Sequence, residues 1–254
     1  MLEKFDLDRC ETREQIEEAI VRLAYPLSPR LGRWLSIPIE LLRSGFRGVM
    51  PILQRRIEAD RDAAIALRYY KAWGVEILHR YGDARTGFEV LVALYDATAY
   101  VIFIGSDDLL DWRRNLSQRF PGLRAYCANH NQVTIALGKA LKSGATELCA
   151  AGHSLGGAIA QMAAVDWDSI GRCLTFQTAA VSPSYVQRSE SCPIEAAHLR
   201  HTADFIFPVS KARTGGGLIA GEDIVVGERR RGYGRIASHL EMLTLLPRTS
   251  GIVS

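Results

Sequence analysis

Six residues, Gly152-His153-Ser154-Leu155-Gly156-Gly157, constrain the fold of this chain more than any other stretch. A short apolar run, residues 147–151, comes before them. A run of small residues, Ala158-Ile159-Ala160-Gln161-Met162-Ala163-Ala164, comes after. A strand that passes at once into a helix through Gly-x-Ser-x-Gly makes a sharp turn with the serine at its apex. The residues two before and two after that serine must be tiny, because helix and strand pack closely there. The serine takes a strained backbone conformation that projects its hydroxyl from the sheet edge. The helix aims its N-terminus at the same place, so its N–H groups can stabilise an oxyanion. Glycine and serine are common, and five of them match by chance often. The strand before and the helix after give the match its weight.

The rest of the chain agrees with a sheet of this kind. Residues 75–81 and 88–95 read as strands, with Gly82-Asp83 as the turn between them. Residues 100–104, 172–176, 197–199 and 224–226 are further strands, and residues 133–141 and 239–246 read as helices. Strands alternating with helices predict a mainly parallel sheet covered on both faces, an α/β fold. Residues 1–74 differ and read as helical. Ile16, Ala19, Ile20 and Leu23 mark one helix face, and Thr12 with Gln15 resembles a capping box. Pro26 and Pro29 then break the chain. A second segment over 31–57 is interrupted by Pro38, Gly45, Gly48 and Pro51, and a third helix covers 58–73. The expected organisation is a helical region over 1–74 and an α/β domain over 75–254.

Composition narrows the function classes. A formal net charge of +3 over 254 residues is too small to argue for nucleic acid as a partner. The five cysteines are odd in number and widely spaced, with no Cys-x-x-Cys pair, so neither a disulfide framework nor a zinc site is expected. No cofactor or metal is expected either. The first residues lack the basic start and apolar core of a cleaved leader. No stretch approaches the roughly 20 apolar residues of a spanning helix. The expected localisation is cytoplasmic as synthesised, with any export by a signal-independent route.

The run Gly152 to Ala158 resembles the elbow of the class 3 lipases, the fungal-type branch of the α/β hydrolases. Val101-Ile102-Phe103-Ile104-Gly105-Ser106-Asp107-Asp108, followed by Asp111-Trp112, resembles that family's oxyanion segment. Leu174-Thr175-Phe176-Gln177-Thr178-Ala179 resembles its Thr-Phe-Gly-x-Pro strand. Thr202-Ala203-Asp204-Phe205-Ile206-Phe207-Pro208 resembles its acid-bearing segment, and Ser238-His239-Leu240 its histidine segment. The likeness covers about residues 75–246 and leaves the first 74 unexplained. Two positions depart from it: Ile104 stands where the family usually has arginine, and Gln177 where it usually has glycine. The resemblance implies an α/β-hydrolase fold and a serine ester hydrolase, of lipase or phospholipase A type, acting on lipids.

A serine hydroxyl needs a base, and the base needs an acid to hold it. In α/β hydrolases the chain order is Ser, then Asp or Glu, then His. His198 and His201 lie before Asp204 and fit that order badly. His198 sits in a strand-like run, and His201 is placed to orient the Asp204 loop. His239 fits as the base. Asp204 follows an apolar run and fits as the acid. Its rivals Glu222 and Asp223 open a strand, and Asp166 and Asp168 are expected in solvent. The oxyanion donors are expected at Leu155, the residue after the nucleophile, and at Ser106. His153 is expected to pack under the elbow.

Substrate is less constrained. Residues 109–123 could form a lid or an ordinary amphipathic helix. Residues 30–56 mix arginines with large apolar side chains, which suits a membrane surface or a helical cap with solvated arginines. Arg229-Arg230-Arg231 and Arg235 could meet an anionic head group. Two other readings stay open. The chain could be a secreted phospholipase toxin neutralised by an immunity protein, or an inactive hydrolase fold that only binds.

Overall fold

In the computed structural model, the residues described are 7, 10–27, 60–83, 85–105 and 120–226. One sheet of seven strands organises them, and its spatial order follows the chain: β1 (Glu76–Asp83), β2 (Phe88–Tyr95), β3 (Thr98–Phe103), β4 (Glu147–His153), β5 (Arg172–Phe176), β6 (Glu195–His201) and β7 (Glu222–Val226). The first three strands are antiparallel hairpins. From β3 onward every neighbouring pair is parallel. A parallel neighbour needs a crossover. The helices α2 (Leu123–Ala128) and α3 (His130–Leu141) lie between β3 and β4, α4 (Leu155–Asp166) follows β4, α5 (Pro183–Ser189) follows β5, and α6 (Ile206–Thr214) follows β6. The sheet is mainly parallel, as the alternation of strands and helices predicts.

Both faces of the sheet are buried, which explains why its strands read as nearly continuous apolar runs. Val90, Val92, Val101, Phe103 and Ala150 face one core with α3 and α4, through Val133, Ala136, Ile159 and Ala163. Leu91, Ala93, Tyr100, Ile102, Cys149 and Ala151 face the other. That second core is completed from the N-terminal residues. The helix α1 (Arg13–Leu23) contributes Ala19, Ile20 and Leu23, and the helical stretch 60–72 contributes Ala66 and Tyr70. Thr12 caps α1 with the reciprocal bonds of a capping box, with Gln15 as its partner. Among the described residues no helix is long and apolar enough to cross a membrane.

Polar groups also fasten α1 to the sheet. Glu17 is buried and accepts two bonds from the Arg172 guanidinium at 2.8 and 2.7 Å, one from Tyr100 Oη at 2.6 Å and one from Arg13 Nε at 3.0 Å. The helix pattern alone places Glu17 in solvent. Its burial depends on a cation 155 residues away.

The two hairpins differ from expectation in one place. Gly82 and Asp83 still pair with Glu89 and Phe88, so they extend β1 instead of turning it. The Asp83 carboxylate accepts Arg85 N–H at 3.0 Å and the Thr86 hydroxyl at 2.8 Å, and Gly87 takes φ 81°. The aspartate therefore organises the turn that follows it.

Between β2 and β3 the turn is Asp96-Ala97, with φ of 47° and 63°. A left-handed conformation at both central residues is that of a type I′ hairpin, which favours glycine in second place. Alanine there carries about 1–2 kcal/mol of Cβ strain. Ala97→Gly is expected to stabilise the protein by about 0.5–1 kcal/mol, after the extra chain entropy of glycine is subtracted. Urea unfolding measures this, and a loss of stability would refute it.

Candidate active site

The elbow stands at the carboxyl end of β4, the fourth of seven strands. Ser154 has φ 57° and ψ −125°, a region rarely occupied by a residue with a side chain. Bonds on both sides hold it there. Its N–H donates to Phe176 O at 3.0 Å, and its carbonyl accepts Gly157 N–H at 3.1 Å and Ala179 N–H at 3.3 Å. A Cβ at Gly152 would lie 2.4 Å from Gly156 C, and one at Gly156 would lie 1.9 Å from Phe103 O. Both glycines are thus required by contact, as the turn demands. The Ser154 hydroxyl is buried and has no hydrogen-bond partner among the described residues. Leu155 opens α4, so its N–H is one of the free donors of a helix N-terminus.

Asp204 lies just past β6 on the same sheet edge, with only β5 between β6 and the elbow strand. At about 4.8 Å per strand, this puts the two chain exits roughly 10 Å apart. The loop is tightly held. Asp204 N–H donates to His201 O at 2.9 Å, Ala203 N–H donates to His201 Nδ1 at 3.0 Å, and Asp204 Oδ1 accepts Ile206 N–H at 3.2 Å. His201 orients this loop from its base, as its position suggests. The rival Asp223 is engaged elsewhere, in a two-bond pair with Arg200 at 2.7 Å for each bond. The structure thus sets Ser154, Leu155 and Asp204 along one edge. Ser106 and His239 lie outside the described residues, as do residues 109–119, 30–56 and the arginines at 229–235.

The remaining histidines near the edge have structural partners. His198 bonds Thr175 Oγ1 at 2.8 Å and Ile219 O at 3.2 Å, and burial pushes its pKa down to about 4, so it is neutral near pH 7. His153 packs beneath the elbow and meets the Tyr25 hydroxyl through Nδ1 at 3.1 Å. Tyr25 has no signal in the sequence beyond a tyrosine next to a proline. Asp166 is not simply solvated: it accepts bonds from Tyr126, Tyr185 and Arg188 at 3.0, 2.9 and 2.7 Å.

The two departures from the lipase pattern differ in kind: Gln177 keeps a backbone that favours glycine, whereas Ile104 suits its surroundings. Gln177 has φ 48°, a conformation in which glycine carries no Cβ strain. Ile104 is buried in the core shared with α1, a place suited to an aliphatic side chain.

Residues 83–206 match the family model of the Tle-like phospholipase domain. No curated protein matches significantly. The triacylglyceride lipase of Rhizomucor miehei superposes with a TM-score of 0.55 at 20% identity, over 87% of this chain and 83% of that one. Lipase II from Rhizopus niveus gives 0.53 at 19%, over 63% and 70%. The lipase of Rhizopus microsporus var. chinensis gives 0.54 at 17%, over 64% and 65%. This chain therefore spans about two thirds of the two Rhizopus lipases.

Proposed function

We propose that this chain, which has the fold of the lipases and matches a phospholipase-like family model over residues 83–206, is an ester hydrolase that cleaves the acyl esters of phospholipids through an acyl-enzyme on Ser154. The observation that carries the reading is the elbow. A buried serine hydroxyl sits at a strained turn, at the start of a helix whose first two N–H groups, of Leu155 and Gly156, have no partner among the described residues. The phospholipid arm rests on the family match over residues 83–206.

In this reading Ser154 Oγ attacks the ester carbonyl carbon as His239 takes its proton. Asp204 holds the imidazole and stabilises its charged form. The tetrahedral oxyanion sits between Leu155 N–H and Ser106. Its collapse breaks the ester C–O bond, and His239 returns the proton to the departing lysophospholipid oxygen. Water, deprotonated by His239, then attacks the acyl-serine and releases the fatty acid and the free serine.

The test is a panel of phosphatidylcholine, phosphatidylethanolamine and phosphatidylglycerol vesicles beside a trioleoylglycerol emulsion, with products read by mass. Wild-type protein is expected to release fatty acid and lysophospholipid, and Ser154→Ala is expected to release neither. Fatty acid from the glyceride alone would overturn the phospholipid reading. No product from any lipid would overturn the activity itself.

A further inference from the structure

The N-terminal residues do more than cover the sheet. Tyr25 lies just after α1 and reaches the end of β3 and the elbow together. Its hydroxyl accepts Gly105 N–H at 3.0 Å and donates to the His153 carbonyl at 3.0 Å. The same oxygen lies 3.1 Å from His153 Nδ1, and the two rings meet edge-on at 5.6 Å. With the hydroxyl hydrogen on the carbonyl, the Nδ1–H of His153 is a donor to the oxygen. One atom thus ties the strand exit at Gly105 to the residue immediately before Ser154.

The position is sterically closed. A Cβ on Gly105 would lie 2.6 Å from the Tyr25 hydroxyl, 2.8 Å from His153 O and 3.1 Å from Gly156 N. Gly105 is therefore wedged between the tyrosine and the elbow. The exit cannot close further on the elbow without meeting its backbone at His153 O and Gly156 N, and it cannot leave without displacing the hydroxyl or breaking the Gly105 bond.

We propose that Tyr25 is a positioning residue for ester hydrolysis: its hydroxyl sets the spacing between the β3 exit and the nucleophile elbow, and so the width of the oxyanion hole. The inference rests on the site reading above, in which one oxyanion donor is Leu155 N–H and the other follows Gly105 directly. An oxyanion hole works by donors fixed in advance, and a displacement near 1 Å costs on the order of a hundredfold in rate. Among the described contacts the Tyr25 hydroxyl meets Gly105 and His153 and not the Ser154 hydroxyl. It acts through Gly105 and His153.

Tyr25→Phe keeps the ring and removes the hydroxyl. Tyr70→Phe is the control. The Tyr70 hydroxyl donates to Ile20 O at 2.6 Å in the same core, and among the described contacts none joins it to the elbow. Full-length wild type, both variants and Ser154→Ala are assayed on p-nitrophenyl butyrate. Competent sites are counted by fluorophosphonate titration, so partial misfolding leaves the rate per site intact.

Tyr25→Phe is expected to lower kcat per titrated site roughly ten- to a hundredfold with KM changed less than about twofold, because the hole binds the transition state and not the ground state. Tyr70→Phe is expected to lower Tm and leave kcat per site as in wild type. A Tyr25→Phe enzyme with fewer sites but wild-type kcat per site would overturn the proposal and leave Tyr25 a packing residue. An equal fall in kcat for Tyr70→Phe would overturn it too, because the loss would then be general. Activity retained by Ser154→Ala would overturn the site reading itself, which separates the two failures.

Discussion

Alanine in place of Ser154 is expected to lower ester hydrolysis by at least about 10⁴-fold, because acyl transfer then has no nucleophile and only the oxyanion donors and binding remain. Stability should hardly change. Alanine has the same Cβ as serine and meets the same strain at φ 57°. Glycine at 154 should be equally inactive and also more stable. The strained conformation costs about 1–3 kcal/mol, and the added backbone entropy of glycine takes back about 0.5–1 kcal/mol. The expected net gain is about 1 kcal/mol, or roughly 2–4 °C in Tm for a chain of this size. Calorimetry on the two variants measures it. A glycine variant no more stable than the alanine one would show that the elbow stores no strain, and an active alanine variant would place the nucleophile elsewhere.

Glu17→Gln is expected to destabilise the protein by roughly 3 kcal/mol, which removes roughly 6–12 °C of Tm. The variant keeps the shape but leaves the largely buried Arg172 guanidinium without its bidentate partner and weakens the bonds from Tyr100 and Arg13. A double change, Glu17→Met with Arg172→Leu, should recover most of the loss, because it buries no lone charge. The pH dependence has a definite sign. Burial pushes the Glu17 carboxyl up, but hydrogen bonds from Arg172, Tyr100 and Arg13 outweigh it, and the net pKa is below the usual 4.5. A carboxylate whose folded pKa is lowered adds stability in full above its ordinary value. It loses that stability as pH falls through the folded value. The gap between wild type and Glu17→Gln should therefore be widest above pH 4.5 and narrow below it. A constant gap from neutral pH to strong acid would exclude the ion pair as its origin.

The elbow was legible in the sequence because sterics alone demand it. Gly152 and Gly156 touch backbone, so no other residue type fits. The strands β2 and β5 were legible to the residue because apolar runs end there against glycines and polar turns. Long-range pairing was not legible. A helix pattern turns Glu17 outward, and it takes the two bonds of a guanidinium delivered by β5, with those of Tyr100 and Arg13, to make its burial tolerable. The helices α5 and α6 carried local signals that prolines obscured. Ser182-Pro183 is a helix start, with proline in the first turn, and Pro208 sits in the first turn of α6, where its missing N–H costs nothing. The position of Asp204 just past β6 was readable from the apolar run before it. Tyr25 was not, because its meaning lies in Gly105 and His153, and neither is near it in the chain.

The pairing of Glu17 with Arg172 also sets an order of events during synthesis. A ribosome adds about 5–20 residues each second. The helix bearing Glu17 is therefore made roughly 8–30 s before the partner 155 residues later exists. Until β2 to β4 are made its apolar face has no sheet to lie on, and until β5 follows its carboxylate favours solvent. Among the described helices α1 is made before the others, and its ion pair closes only after β5. The elbow itself is held by bonds at and beyond the end of β5, from Ser154 N–H to Phe176 O and from Ala179 N–H to Ser154 O, so the nascent chain withholds a finished elbow until β5 is in place.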